Sequence, residues 1–211
     1  MLSRNILFID DNNKLEKMYI KRYEDIAQEI KSNGEYTDYE LSFFAAKSIQ
    51  EAKEKLVDGK LIVDVAVVDY QFLNSNNNEN GIDLIEYIRD KINKRCKIIF
   101  YTMNGVNKIA QEELISLINN DVYRLIDKGR TDDNELIRII YDAVYNGDIL
   151  VASLERFWNE YSEALREGDY MVLGEKVEFA DIIKHIRLDD EIGRVFVDKF
   201  MHKALLDAVS L

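Results

Sequence analysis

Five short strand-like segments alternate with five helix-like ones across residues 1–146, and few folds accommodate that alternation. The strand candidates are Ile6–Ile9, Tyr39–Ala45, Val63–Val68, Lys97–Tyr101 and Val122–Ile126. Between them, Leu15–Ile30 repeats apolar residues at steps of three and four, as do Ser48–Val57, Ile82–Ile92, Val106–Ile118 and "TDDNELIRIIYDAVYN". The last begins with a Thr/Asp cap followed by acids, as a helix start should. "LIVDVAVVD" and "KIIFYT" are almost continuously apolar, which suits strands buried on both faces of a parallel sheet. In such a sheet ligands bind beyond the carboxyl ends of the strands. Those ends carry Asp10 and Asp11, Asp69, Thr102, and Asp127–Lys128.

Adjacent carboxylates such as Asp10 and Asp11 repel unless water screens them or a cation lies between them. Taken singly, the acidic pair reads as a solvated loop, Asp69 as a helix cap, Thr102 as a strand residue and Lys128 as a surface charge. Three acids, a hydroxyl and a lysine converging on one rim form a chemical site instead. A carboxylate can accept a phosphoryl group, whose transfer is catalysed mostly by positioning and charge neutralisation. Mg²⁺ takes oxygen ligands of the kind this rim supplies.

With "FIDDN" (Asp10, Asp11), "VAVVDYQF" (Asp69), "IIFYT" (Thr102) and "YRLIDKG" (Lys128) at successive strand ends, residues 3–146 resemble the receiver domain of two-component response regulators. The resemblance implies an α/β, flavodoxin-like, doubly wound five-stranded parallel sheet of order 2-1-3-4-5. It implies Asp69 as phospho-acceptor, with Thr102 and Lys128 meeting phosphoryl oxygens. Mg²⁺ would be held by Asp10, Asp11, Asp69 and the backbone carbonyl of Gln71. A histidine kinase or phosphotransfer protein would be the donor, and the domain would catalyse its own phosphorylation and dephosphorylation.

Four departures from the family pattern stand out. Met103 occupies a position that is usually small and could cover Asp69. Lys128 is followed by Gly129 rather than proline, so a trans peptide is expected. The aromatic position three residues before the lysine is Leu125, with Tyr123 two residues earlier. The segment "DYQFLNSNNNENG", Asp69 to Gly81, is long and rich in Asn, and reads as an exposed lid or an idle insertion.

From Leu136 to Ala164 apolar or small residues recur in alternating steps of four and three, a heptad seam that passes through "NGD" (Asn146–Asp148). One reading is a continuous dimerising helix. The other, favoured by the cost of an interior glycine, is a break at Gly147. The chain then divides into 1–146 and a helical region 147–211. "YMVLGEKVEF" reads as a hairpin or loop, and "ADIIKHIR" and "DDEIGRVFVDKFMHKALLDAV" as amphipathic helices. The last places Ile192, Val195, Phe196, Phe200, Leu205 and Val209 on one broad face. His185 and His202 lack the surroundings of a phosphotransfer module.

The net charge of −12 is uneven: residues 1–130 carry 22 acids and 19 bases, and residues 131–211 carry 18 acids and 9 bases. A tail at −9 argues against a DNA-binding output and for a protein partner or a second copy of the chain. No apolar run reaches the length of a membrane span, no leader pattern is visible, and the single cysteine, Cys96, fits a reducing, cytoplasmic setting. The leading expectation is a phosphorylated switch. The alternative is a degenerate receiver that serves as an assembly module.

Overall fold

The computed structural model describes residues 2–57, 61–72, 80–103, 105–168 and 170–209. By internal contacts the chain divides into two units, one of residues 1–92 and 96–147, the other of residues 93–95 and 148–211.

The first unit is a parallel sheet of β1 (Leu2–Ile9), β2 (Tyr39–Ala46), β3 (Val65–Asp69), β4 (Lys97–Thr102) and β5 (Val122–Asp127), in the order β2-β1-β3-β4-β5. The implied strand order is therefore found. The connecting helices are α1 (Ile20–Ser32), α2 (Ile49–Leu56), α3 (Gly81–Tyr87), α4 (Gln111–Asn119) and α5 (Asp133–Tyr145). Because successive side chains of a strand point to opposite faces, a strand apolar at every position feeds two cores. Leu7, Ile9, Ala66, Val68, Ile98 and Phe100 pack with Ile49, Leu84, Ile85 and Leu117 of α2, α3 and α4, and with Ile88 just after α3. On the alternate positions, Phe8 stacks on Tyr23 of α1 with ring centroids 4.8 Å apart, and Ile6, Val65, Val67 and Ile99 are also buried.

Several boundaries differ from those read off the sequence. β1 begins at Leu2, four residues early, because Arg4 and Asn5 find partners across the sheet. Arg4 is buried, 3.9 Å from Asp64 and over the Tyr39 ring, while the Asn5 amide donates to the Asp64 carboxylate at 2.8 Å. The helices predicted over 15–30 and 82–92 each contain a wide, π-type turn, at Leu15–Tyr19 and Ile88–Ile92. Val106–Lys108 is a separate 3₁₀ turn before α4. With no proline in the chain, polar caps end the helices: Asn33 after α1, Asn120 after α4 and Asn146 after α5.

The second unit opens with α6 (Ile149–Arg166). Of the two readings at "NGD", the break holds: α5 stops at Tyr145, and the Asp148 side chain accepts from the amides of Leu150 and Val151 to start α6. β6 (Tyr170–Val172) and β7 (Glu175–Val177) form a hairpin whose turn residues Leu173 and Gly174 both have positive φ, 53° and 85°. α7 (Phe179–Leu188) and α8 (Glu191–Val209) follow. Val151, Leu154, Val172, Val177, Phe179, Ile182, Ile183 and Ile186 form its core. Ile192, Val195 and Phe196 pack against that core, whereas Phe200, Leu205 and Val209 are 43%, 61% and 85% exposed. The predicted face of α8 is thus buried only at its start. Phe157 and Tyr161, expected on the seam, are both exposed, and their rings lie 4.9 Å apart. No helix among the described residues is long and apolar enough to cross a membrane.

Candidate functional site

Strand register brings the predicted residues together. Val68 of β3 lies opposite Ile9 of β1, so the next residues, Asp69 and Asp10, end side by side. Asp69 lies opposite Tyr101, and Thr102 opposite Asp127. The Lys128 amide then donates to the Thr102 carbonyl at 2.9 Å, which delivers the lysine to the same rim. Its ammonium sits 2.7 Å from a carboxylate oxygen of Asp10 and 3.0 Å from one of Asp69.

Asp10, Asp11 and Asp69 each present an oxygen within 4.8 Å of the others. Oxygens bound to one Mg²⁺ at about 2.1 Å lie at most about 4.2 Å apart, so small side-chain movements close the set around one ion. Three carboxylates and one ammonium leave two negative charges, the amount that one divalent cation neutralises. The residues present therefore fit a hard divalent cation. Gln71 lines the same cavity, of about 680 Å³, with Thr102, Met103 and Lys128.

Burial pushes the Asp69 carboxyl up to about 6; Lys128 opposes that rise and Asp10 adds to it. Further bonds hold the rim in place. The Asp10 carboxylate accepts from the Asn12 amide at 2.9 Å. The Tyr70 amide donates to the Asp69 side chain at 2.8 Å and to the Tyr101 carbonyl at 3.2 Å. Thr102 is buried at 1% exposure.

The four positions singled out in the sequence take physical form. Met103 is 69% exposed at the edge of the cavity. The described residues contain no cis peptide, so Lys128–Gly129 is trans. Leu125 packs against the core beneath α4, and Tyr123 lies instead under the charges of Lys97 and Arg124. The long segment between Asp69 and Gly81, read as a lid or an idle insertion, falls for residues 73–79 outside the described residues.

Sequence reasoning missed two supports. Gly81 opens α3 so close to β3 that a β-carbon there would lie 2.0 Å from the Asp69 carbonyl oxygen. The "N-G" before the apolar run of α3 was the available signal. Tyr101 read as an ordinary strand residue, yet its ring centroid lies 4.8 Å from the Lys128 ammonium.

No protein-family model matches the chain, and no curated protein matches it. Among solved structures, it is similar to a response regulator receiver protein from Pseudomonas putida, with 20% identity, 67% of this chain and 98% of that chain covered, and a TM-score of 0.49. It is similar to a CheY-like receiver domain protein from Methanospirillum hungatei JF-1, with 18% identity, 67% and 93% covered, and a TM-score of 0.47. A third is RcsB from Salmonella enterica serovar Typhimurium, bound to promoter rprA in the presence of phosphomimetic BeF₃⁻, with 17% identity, 74% and 75% covered, and a TM-score of 0.46. The strand order described above stands without them.

Proposed function

We propose that the chain is a two-component response regulator, with residues 1–146 as a receiver phosphorylated on Asp69 and residues 147–211 as the part that engages a protein partner. The observation that carries this reading is the Lys128 ammonium held between Asp10 and Asp69, at 2.7 and 3.0 Å, beside the third carboxylate of Asp11. An ammonium carries three N–H donors, and these two ion pairs leave one of them for an oxygen of an incoming phosphoryl group.

In the proposed reaction an Asp69 carboxylate oxygen attacks the phosphorus of the donor, a phosphohistidine of a kinase or phosphotransfer protein, or a small acyl phosphate. A new O–P bond forms as the donor's bond to phosphorus breaks, and the leaving group departs with the bonding pair. Lys128 and the Thr102 hydroxyl meet the equatorial oxygens, on which charge accumulates. Asp10, Asp11, Asp69 and the Gln71 carbonyl would hold Mg²⁺, which supplies charge neutralisation at the transferring group. Hydrolysis of the acyl phosphate by water resets the domain.

The acidic second region points the output toward protein, either a partner or a second copy, rather than nucleic acid. The second reading, a degenerate receiver, is favoured by Met103 at the cavity edge and by Gly129 after Lys128. Intact-mass measurement after acetyl phosphate with Mg²⁺ separates them. The expected result is one phosphoryl-sized gain that Asp69→Asn or a chelator abolishes. A gain that survives either the substitution or the chelator, or none in the unaltered chain, overturns the proposal.

A further inference from the structure

We propose that Tyr101 is a positioning residue for Lys128, its ring holding the ammonium over the pocket throughout the reaction; this rests on the receiver reading above. The ring centroid is 4.8 Å from the lysine nitrogen, inside the roughly 6 Å reach of a cation–π contact. Lys128 is only 12% exposed, so the contact is largely shielded from water, the condition under which such contacts are strongest.

The other partners of Lys128 do not persist through the reaction. Its ion pairs run to Asp10 and Asp69. Phosphorylation converts Asp69 from a carboxylate into an acyl phosphate, and a cation bound by Asp10 and Asp11 competes with the lysine for Asp10. Both bonds must therefore loosen at the moment when the ammonium is needed on the phosphoryl oxygens. A lysine side chain is four flexible carbons long, and the residue that follows it is Gly129, which adds no stiffness. The Tyr101 face is uncharged, does not react and binds no metal, so it remains in every state. Tyr101 is itself fixed, since it lies on β4 with Asp69 opposite and its carbonyl accepts from the Tyr70 amide.

The prediction concerns the face of the ring rather than the hydroxyl. Tyr101→Phe keeps it, whereas Tyr101→Leu and Tyr101→Met fill much of the same space without it. Two measurements apply, with thermal melts used to select folded variants. In ¹³C-lysine-labelled protein, with the signal assigned through Lys128→Arg, the ε-methylene protons of Lys128 are shifted upfield by the ring. That shift is expected in the unaltered chain and in Tyr101→Phe, and absent from the Leu and Met variants. With acetyl phosphate and saturating Mg²⁺, Tyr101→Phe retains most of the labelling rate and the aliphatic variants are about tenfold slower. An unchanged rate in both aliphatic variants overturns the proposal, as does a Tyr101→Phe as slow as they are. If the unaltered chain is not labelled at all, the receiver reading fails, and the lysine spectrum alone decides whether the ring holds Lys128.

Discussion

The Tyr70 hydroxyl lies 2.9 Å from both carboxylate oxygens of Glu113, so the residue that follows Asp69 is fastened to the first turn of α4. Glu113 also accepts from the Ala110 amide at 3.1 Å and so caps the same helix. Tyr70→Phe should lower stability by about 1 kcal/mol, the usual net value of one hydrogen bond. Urea unfolding with an unchanged slope and a lower midpoint is the expected result. Glu113→Gln should cost at least as much, because the cap is weakened together with the bond.

Stability should depend on pH through Asp69. Its folded value, about 6, lies above the ordinary 3.8, so the folded state holds the proton more tightly than the unfolded one. The folded protein therefore gains from protonation, and in chelator its stability should fall as pH rises from about 4 to about 6. Asp69→Asn should remove that slope and raise stability near neutral pH by roughly 2–3 kcal/mol, since each tenfold difference in proton affinity is worth about 1.4 kcal/mol. Melting curves at several pH values in chelator test this, and a parallel slope in the Asn variant would count against it.

Gly81→Ala should be among the most damaging single changes in the first unit. The added carbon would lie 2.0 Å from the Asp69 carbonyl oxygen, which is backbone and cannot swing away. A loss of about 3 kcal/mol is expected, at the upper end of ordinary overpacking. Because the strain falls on Asp69, folded Gly81→Ala protein should also be labelled more slowly by acetyl phosphate.

In the second unit, Asp190→Ala should cost about 1 kcal/mol. The Asp190 carboxylate accepts from the Gly193 amide at 3.0 Å, at the start of α8, and lies 2.6 Å from Nδ1 of His185. Gly193 in turn lets α8 approach α7, since a β-carbon there would lie 2.4 Å from the His185 carbonyl oxygen. Gly193→Ala should therefore cost more than Asp190→Ala, and denaturant titration can rank the two.

Most of the first unit was legible in the sequence because its signals are local. Strands apolar at every position and helices with three-and-four spacing each identify themselves, and the order of acids, Thr and Lys at the strand ends follows from them. Where reading failed, the cause lay far along the chain. Arg4 and Asn5 look like the polar approach to a strand, and only Asp64, some sixty residues on, makes them part of it. Wide helical turns such as Leu15–Tyr19 leave no mark on the spacing of apolar residues. Tyr101 passed for an ordinary strand residue because the cation above it arrives from beyond the end of another strand. On α8 the pattern of apolar residues runs on through Phe200, Leu205 and Val209, while the packing against the core ends at Val197.

The Gly81 amide donates to the Tyr70 carbonyl at 2.9 Å, so the chain leaves β3 and re-enters α3 through what is in effect a buckle. Asn80 closes it by capping α3 while its own amide is held by Asp83 at 2.7 Å. Both ends of the intervening segment are thus anchored to backbone independently of its length. Residues could be added or removed between Phe72 and Asn80 without moving Asp69, and a tag, reporter or foreign recognition loop could be spliced there. The geometry at the end of β3 is in this way insulated from the length of the stretch that follows it.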